Sequence, residues 1–301
     1  MTVMPARGAV VPRALRHRVF RGSQATASGL LTADQLRGQA YVRLFRDIYL
    51  HAEAVNPAEP IEHRVRIEAA ALLLPRGAVI GGRSALCLSG LREAVEHDPP
   101  VEVIVPPGLR FGPIRGLRVR MAPLPAHDVM RSPIPWTTPL RSCLDIAREP
   151  DLIEAVVALD LALGRGRVSP KELIDLADQL RAVPGARRAK VAVGMADGRA
   201  DSPQESRLRV VLTLAGMRPR PQFEVRDRDG RFVARVDLAF VADRIAVEYE
   251  GSWHWEPGQL RRDRQRLDRL TAAGWRVIHV TAQDLREPRK LVTRIQDLLR
   301  G

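Results

Sequence analysis

The sequence predicts a mixed α+β protein. Strand-type runs such as "RFVARVDLAF" and "RIAVEYE" alternate at period two, helix-start signatures recur, and the two kinds of segment interleave along the chain. At 301 residues the chain has room for two or three domains. The expected division is a basic winged-helix-like segment at 1–56, a central α+β domain at 57–198 and a C-terminal domain at 199–301.

In the first stretch, "GLLTADQLR" offers Thr32 as an N-cap with Gln35 three residues later, which starts a short helix. "VRLFRDIYLHA" then alternates Leu44, Arg46, Ile48 and Leu50 against Arg43, Phe45, Asp47 and Tyr49, as one strand would. Helices followed by a basic strand suggest a degenerate winged helix. Its expected role is DNA contact, or else packing and dimerisation.

In the central stretch, "IEHRVRIEAAALLL" and "PLRSCLDIAR" read as helices, and "VEVIVP" and "GLRVRMA" as strands. "DLIEAVVALDLALGRGRVSPKELIDLADQL" reads as two helices joined between Gly164 and Val168. "GGRSALCLSGL" has two glycines before a helix but neither a P-loop lysine nor a GxGxxG pattern, so no nucleotide site is expected. His63, His97 and His127 read as surface or capping residues. "MADGRADSP", small and polar before a helix start, marks the expected domain boundary.

The C-terminal stretch reads helix, strand, strand, strand, helix, strand, helix. Ser202 is the N-cap of the first helix, Pro203 suits its first position, and Glu205 completes a capping box. On the strands, Asp237 faces away from Leu238, and Glu248 and Glu250 face away from Val247. A hairpin through "VADR" brings these acids to one side of a small sheet. Such acids suit either a solvated polar face or a hard divalent cation, with Mg²⁺ first. In "GQLRRDRQRLDRLTAAGW", a helix ended by Gly274, Leu260, Leu267 and Leu270 form one stripe with Asp263. "WRVIHV" is a strand and "TAQDLREPRKLVTRIQDLLR" one closing helix.

"SPQESRLR", "ARVDLAF", "IAVEYEGSWH", "RRDRQRLDRL" and "AGWRVIHVTAQDL", in that order, resemble very-short-patch-repair-like endonuclease domains of the PD-(D/E)XK superfamily. The resemblance implies a restriction-endonuclease-like core, a central sheet flanked by helices. In it Asp237 and Glu248 bind Mg²⁺ or Mn²⁺, Glu205 supports them in catalysis, Glu250 at the third motif position is expected as a further metal ligand or a base, and His254, which follows the strand, as a base, an acid or a phosphate contact. The superfamily's third motif normally ends in lysine, so Glu250 is a departure. "GLLTADQLRGQAYVRLFRDIYLHAE" resembles the N-terminal domain of AbiEi-type abortive-infection antitoxins, and a weaker resemblance extends into the central stretch.

Net charge is +13, and its distribution points to a polyanion. Residues 1–50 carry eight arginines against two aspartates, 51–199 carry 20 basic and 18 acidic residues, and 200–301 carry 20 and 15. Basic charge therefore concentrates at the two ends. Arg262 and Arg266, one helical turn apart, and Arg235 beside Asp237 are the expected phosphate contacts. The arginine excess, with lysine only at 171, 190 and 290, also fits a compositional bias. No run approaches the roughly 18 apolar residues of a transmembrane helix and no signal segment follows the start. Cys87 and Cys143 lack metal spacing and read as buried thiols, so a cytoplasmic protein with no membrane partner is expected.

Together these readings predict a metal-dependent endonuclease acting on DNA, in repair or phage defence. The alternative is a non-catalytic DNA-binding regulator, antitoxin-like, that uses the nuclease fold as a scaffold. A homodimer, or a cognate toxin or defence protein, would be a further partner.

Overall fold

Local signals set most of the element boundaries in this computed structural model, which describes residues 12–96, 99–180, 183–251 and 259–300. Contacts divide the chain into two units, Met1–Ser142 and Cys143–Gly301.

The first unit opens with β1 (Phe20–Arg21), α1 (Gly22–Ala27), α2 (Ala33–Arg37), β2 (Tyr41–Phe45) and β3 (Ile48–His51), its strands in the order β1-β3-β2. The Thr32–Gln35 capping box forms at the start of α2. The run expected as one strand instead folds back on itself as the β2–β3 hairpin. Asp47 turns it with φ of 64°, a left-handed geometry that aspartate tolerates better than most residues. Its carboxylate accepts the Ser23 N–H at 2.7 Å, fixing the turn to α1.

The chain continues through α3 (His63–Ala71), β4 (Val79–Ile80), α4 (Gly82–Leu88), β5 (Val101–Val105), β6 (Leu117–Met121), β7 (Val129–Met130) and β8 (Trp136–Thr137). These strands make a five-stranded mixed sheet, β6-β5-β4-β8-β7. β5 is buried along its whole length, as its nearly unbroken apolar run requires. Its one acid, Glu102, bonds Arg118 at 2.8 Å and accepts the Arg83 N–H at 3.1 Å. Gly82 lies beneath it at φ +53°, where an added Cβ would fall 1.9 Å from the carboxylate. His63, expected as a surface or capping residue, is buried with Nε2 2.9 Å from Ser84 Oγ. Burial, reinforced by nearby Arg66, pushes its pKa down to about 4. His127 is exposed as expected, and His97 lies outside the described residues.

Helix α5 (Pro139–Ala147) carries the chain into the second unit, followed by α6 (Leu152–Gly164), α7 (Pro170–Gln179), α8 (Ala186–Met195) and α9 (Pro203–Leu214). The polar stretch expected as a domain boundary connects α8 to α9, and α9 packs on α6. A buried ion pair joins those two helices, with Arg209 Nη2 2.7 Å from Asp160 Oδ2.

Then come β9 (Arg220–Arg226), β10 (Phe232–Phe240), β11 (Ile245–Glu250), α10 (Gln259–Ala272), β12 (Arg276–Thr281), α11 (Ala282–Arg286) and α12 (Pro288–Arg300). The sheet order is β12-β11-β10-β9, antiparallel except for β11 with β12. That parallel pair needs a crossover, and α10 lies in it. Leu238, Phe240, Ile245 and Val247 pack with Leu208 and Leu212 of α9 and Leu291 and Ile295 of α12. Ala239 and Ala246 pack with Leu270 of α10 and Trp275 in a second cluster. Val236, expected with Leu238, joins that second cluster, next to an irregularity where Gln222 adopts φ of 50°. The result is a sheet flanked by helices on both faces.

Two helical expectations change. The closing helix breaks at Glu287, because Pro288 lacks an N–H and disfavours helical geometry in the preceding residue. On α10, Leu270 is buried but Leu267 is 40% exposed, so the inward stripe passes through Arg266 instead. Both cysteines are buried and free, and burial pushes the Cys143 thiol up to about 12. Among the described residues no helix is long and apolar enough to cross a membrane.

Candidate functional site

The β10–β11 hairpin turns at Val241–Arg244, with Arg244 at φ of 52°. Its register pairs Phe240 with Ile245, Ala239 with Ala246 and Leu238 with Val247. Beyond Leu238 and Val247 the paired ladder stops, with Asp237 next on β10 and Glu248 next on β11. There Asp237 Oδ2 accepts the Tyr249 N–H at 2.9 Å, ending the ladder with a side chain. Burial pushes the Asp237 carboxyl up to about 6, the Tyr249 bond opposes the shift, Glu205 and Glu248 add to it, and Arg266 opposes it. Three carboxylates thus share one electrostatic environment.

Glu205 is buried in the first turn of α9. Only half of the expected capping box forms: Ser202 Oγ accepts the Glu205 N–H at 3.2 Å, but the Glu205 carboxylate takes the Ser202 hydroxyl at 2.8 Å in place of the Ser202 N–H. Its other oxygen takes the Asp201 N–H at 3.0 Å and Gln222 Nε2 at 2.7 Å. Gln222 escaped the sequence reading because its positive φ leaves no mark in an alternation pattern.

Glu248 is 8% exposed. Arg266 grips it with both terminal nitrogens, Nη1 reaching Oε2 at 2.7 Å and Nη2 reaching Oε1. Nη2 also donates to the Arg235 carbonyl at 2.7 Å. Arg266, expected at a phosphate, therefore faces the acids. Arg262, one turn earlier, is exposed, and the Arg235 side chain pairs with Asp201 at 2.6 Å. Glu250 lies 3.0 Å from His279 Nδ1. The sequence reading missed His279; its signal was the alternation of "WRVIHV", which becomes informative only once the parallel register sets His279 beside Glu248. His254 lies outside the described residues.

Among the described residues, no three His, Cys, Asp or Glu side chains group as a metal ligand set. Asp237 and Glu248 still supply hard oxygen donors. Mg²⁺ ordinarily takes only one or two carboxylates, completing its shell with water and phosphate. The Tyr249 bond occupies Oδ2 of Asp237 and leaves Oδ1 to a cation. Both oxygens of Glu248 are held by Arg266, so these residues do not present an open pair of carboxylates to a cation.

No family model matches the chain. Two curated proteins of Mycobacterium tuberculosis are similar to it: Uncharacterized protein MT2308 of strain CDC 1551 / Oshkosh and Uncharacterized protein Rv2248 of strain ATCC 25618 / H37Rv. Each is 31% identical over 222 residues, covering 72% of this chain and 81% of its own length. The crystal structure of the RV2827C protein from Mycobacterium tuberculosis is a more distant likeness, with a TM-score of 0.40 and 17% identity over 70% of this chain and 78% of that one. At the identity and coverage it shares with the first two, the chain belongs to the family of MT2308 and Rv2248.

Proposed function

We propose that the C-terminal sheet carries a metal-dependent endonuclease site that hydrolyses DNA phosphodiester bonds. The observation that carries this reading is the half-buried Asp237 carboxylate, bonded to the Tyr249 N–H at the end of the hairpin and within the field of Glu205 and Glu248. A solvated polar face does not require acids to be buried together, and at Glu248 burial is nearly complete.

Asp237 and Glu248 would hold Mg²⁺ or Mn²⁺. When bound, the cation supplies an activated water and stabilises charge on the leaving oxygen. Glu205 acts as a positioning residue, fixed by Ser202 and Gln222. Glu250, in the place of the usual lysine, adds negative charge and is held by His279. Exposed Arg262 and partly buried Arg266 supply positive charge for the phosphate backbone.

The regulator reading has an observation of its own: Arg266 already neutralises Glu248. A fold that only binds DNA has its acids satisfied this way. The deciding experiment incubates the protein with single-stranded, duplex and mismatched DNA in Mg²⁺ or Mn²⁺, beside Asp237→Ala. Cleavage lost in the variant supports the nuclease. Metal-independent binding without cleavage of any form, equal in both proteins, supports the regulator.

A further inference from the structure

The five-stranded sheet ends at β6, whose outer side pairs with no strand among the described residues. In a parallel ladder alternate residues turn their main-chain groups toward the neighbour, and the residues between turn theirs away. The Val101 N–H bonds the Gly116 carbonyl at 2.9 Å and the Ala122 N–H bonds the Val105 carbonyl at 3.0 Å. That phase gives Arg118 and Arg120 to β5, so the main-chain groups of Val119 and Met121 point outward. Among the described residues no other backbone group bonds them. An open row of this kind is a template for one more strand.

The side chains along the edge select that strand. Leu117, Val119 and Met121 share one face, and Leu109 and Phe111 wall a groove beside them. Met121, 57% exposed, is open to an apolar neighbour. Arg118 and Arg120 occupy the other face, and Arg118 bonds Glu102 at 2.8 Å yet keeps its side chain 53% exposed. Between Glu102 and Asp128 the chain carries four arginines and no acid. The same residues disfavour self-pairing. A second copy laid antiparallel about Val119 would set Arg118 against Arg120, and like charges directly opposite destabilise a ladder. A nucleic-acid strand would meet the arginines but leave the outward amide and carbonyl groups unmatched.

We infer that the edge of β6 binds an extended segment of a partner protein that alternates acidic and apolar residues, adding it as a sixth strand. Main-chain bonds to Val119 and Met121 supply affinity, and alternate side chains supply specificity. The acids meet Arg118 and Arg120 on one face, and the apolar side chains meet Val119 and Met121 on the other. This partner site lies in the first unit, outside the C-terminal sheet.

The test titrates the full chain into a short labelled peptide that alternates glutamate and valine, followed by fluorescence anisotropy. The peptide should bind saturably, and its lysine–valine counterpart should not. Two further peptides keep the sequence and charge but carry N-methyl groups, on the valine nitrogens in one and on the glutamate nitrogens in the other. Opposite residues share a face, so antiparallel addition turns the valine N–H groups toward β6 and parallel addition the glutamate N–H groups. One methylated peptide should therefore lose affinity about tenfold or more, the scale of a few main-chain bonds, while the other keeps it. On the protein side, Met121→Pro removes an outward N–H that β5 does not use, a change that edge strands accept, and should weaken the parent peptide similarly. The peptide comparison stands if Met121→Pro does not fold. If the parent peptide does not bind, or both methylated peptides bind as it does and oligothymidylate displaces all three, the edge is no strand acceptor and the proposal is overturned. Self-association of the free chain that Met121→Pro abolishes also overturns it, because a second copy then takes the edge.

Discussion

The second unit contains two acid–arginine pairs that teach different lessons. Asp160 and Arg209 join α6 to α9 with side chains 1% and 8% exposed. The Asp197 N–H bonds the other oxygen of Asp160 at 2.6 Å. Burial raises the Asp160 pKa, with Arg209, the Asp197 bond and Ser206 all opposing the shift. Glu248 and Arg266 have equally short contacts, yet the arginine is about a third exposed and reaches in from a helix edge. The first pair is sealed, so neither partner can leave without stranding a charge in the interior. The second has a buried acid and a cation free to move to solvent. Similar bonds therefore sit in different surroundings: one is sealed between two helices, the other lies under a guanidinium that is a third exposed.

The largest expected effect separates the two. Asp160→Ala leaves Arg209 buried and unpaired and should cost roughly 3–5 kcal/mol in chemical denaturation. Glu248→Gln strands nothing that cannot turn to water and should cost on the order of 1 kcal/mol. Equal losses would erase the distinction.

His63 in the first unit sharpens the comparison, being buried against a hydroxyl with no carboxylate partner. Its folded pKa of about 4 lies below the ordinary 6.5, so it stabilises the fold fully above pH 6.5 and loses that contribution as pH falls toward 4. The loss should reach about 3 kcal/mol, and His63→Gln should flatten the pH profile of stability. A wild-type profile already flat over this window would mean His63 is solvated.

The smallest effect belongs to Glu250. Its contact with His279 is partly exposed, so Glu250→Gln should cost less than about 1 kcal/mol. If metal-induced stabilisation survives that substitution, Glu250 is not a ligand; if it is lost, Glu250 belongs to the metal set with Asp237.

Much of this was legible in the sequence. Period-two alternation and the "VADR" turn announced the hairpin. Side-chain caps at Thr32 and Ser202 announced their helices because the signal is confined to a few adjacent residues. What stayed hidden depends on distant residues or on single dihedrals. The Asp47 turn interrupts an alternation that continues through it undisturbed. The inward face of α10 was misread because Leu267 and Leu270 suggest a stripe, whereas the bond that orients the helix at Arg266 spans to a different strand. The Glu250–His279 contact needed the register of a parallel pair, which no short-range pattern encodes.

Metal binding at the hairpin is the link on which the endonuclease reading depends. The most direct measurement is the melting temperature of the wild type and of Asp237→Asn across a titration with Mg²⁺ or Mn²⁺. An ion that binds only the folded site raises the wild-type melting temperature progressively by mass action. Asp237→Asn, which keeps the shape and removes the charge, should show little of that rise. A wild-type curve that does not respond to either ion, or a variant that responds equally, would contradict a metal site at Asp237 and Glu248.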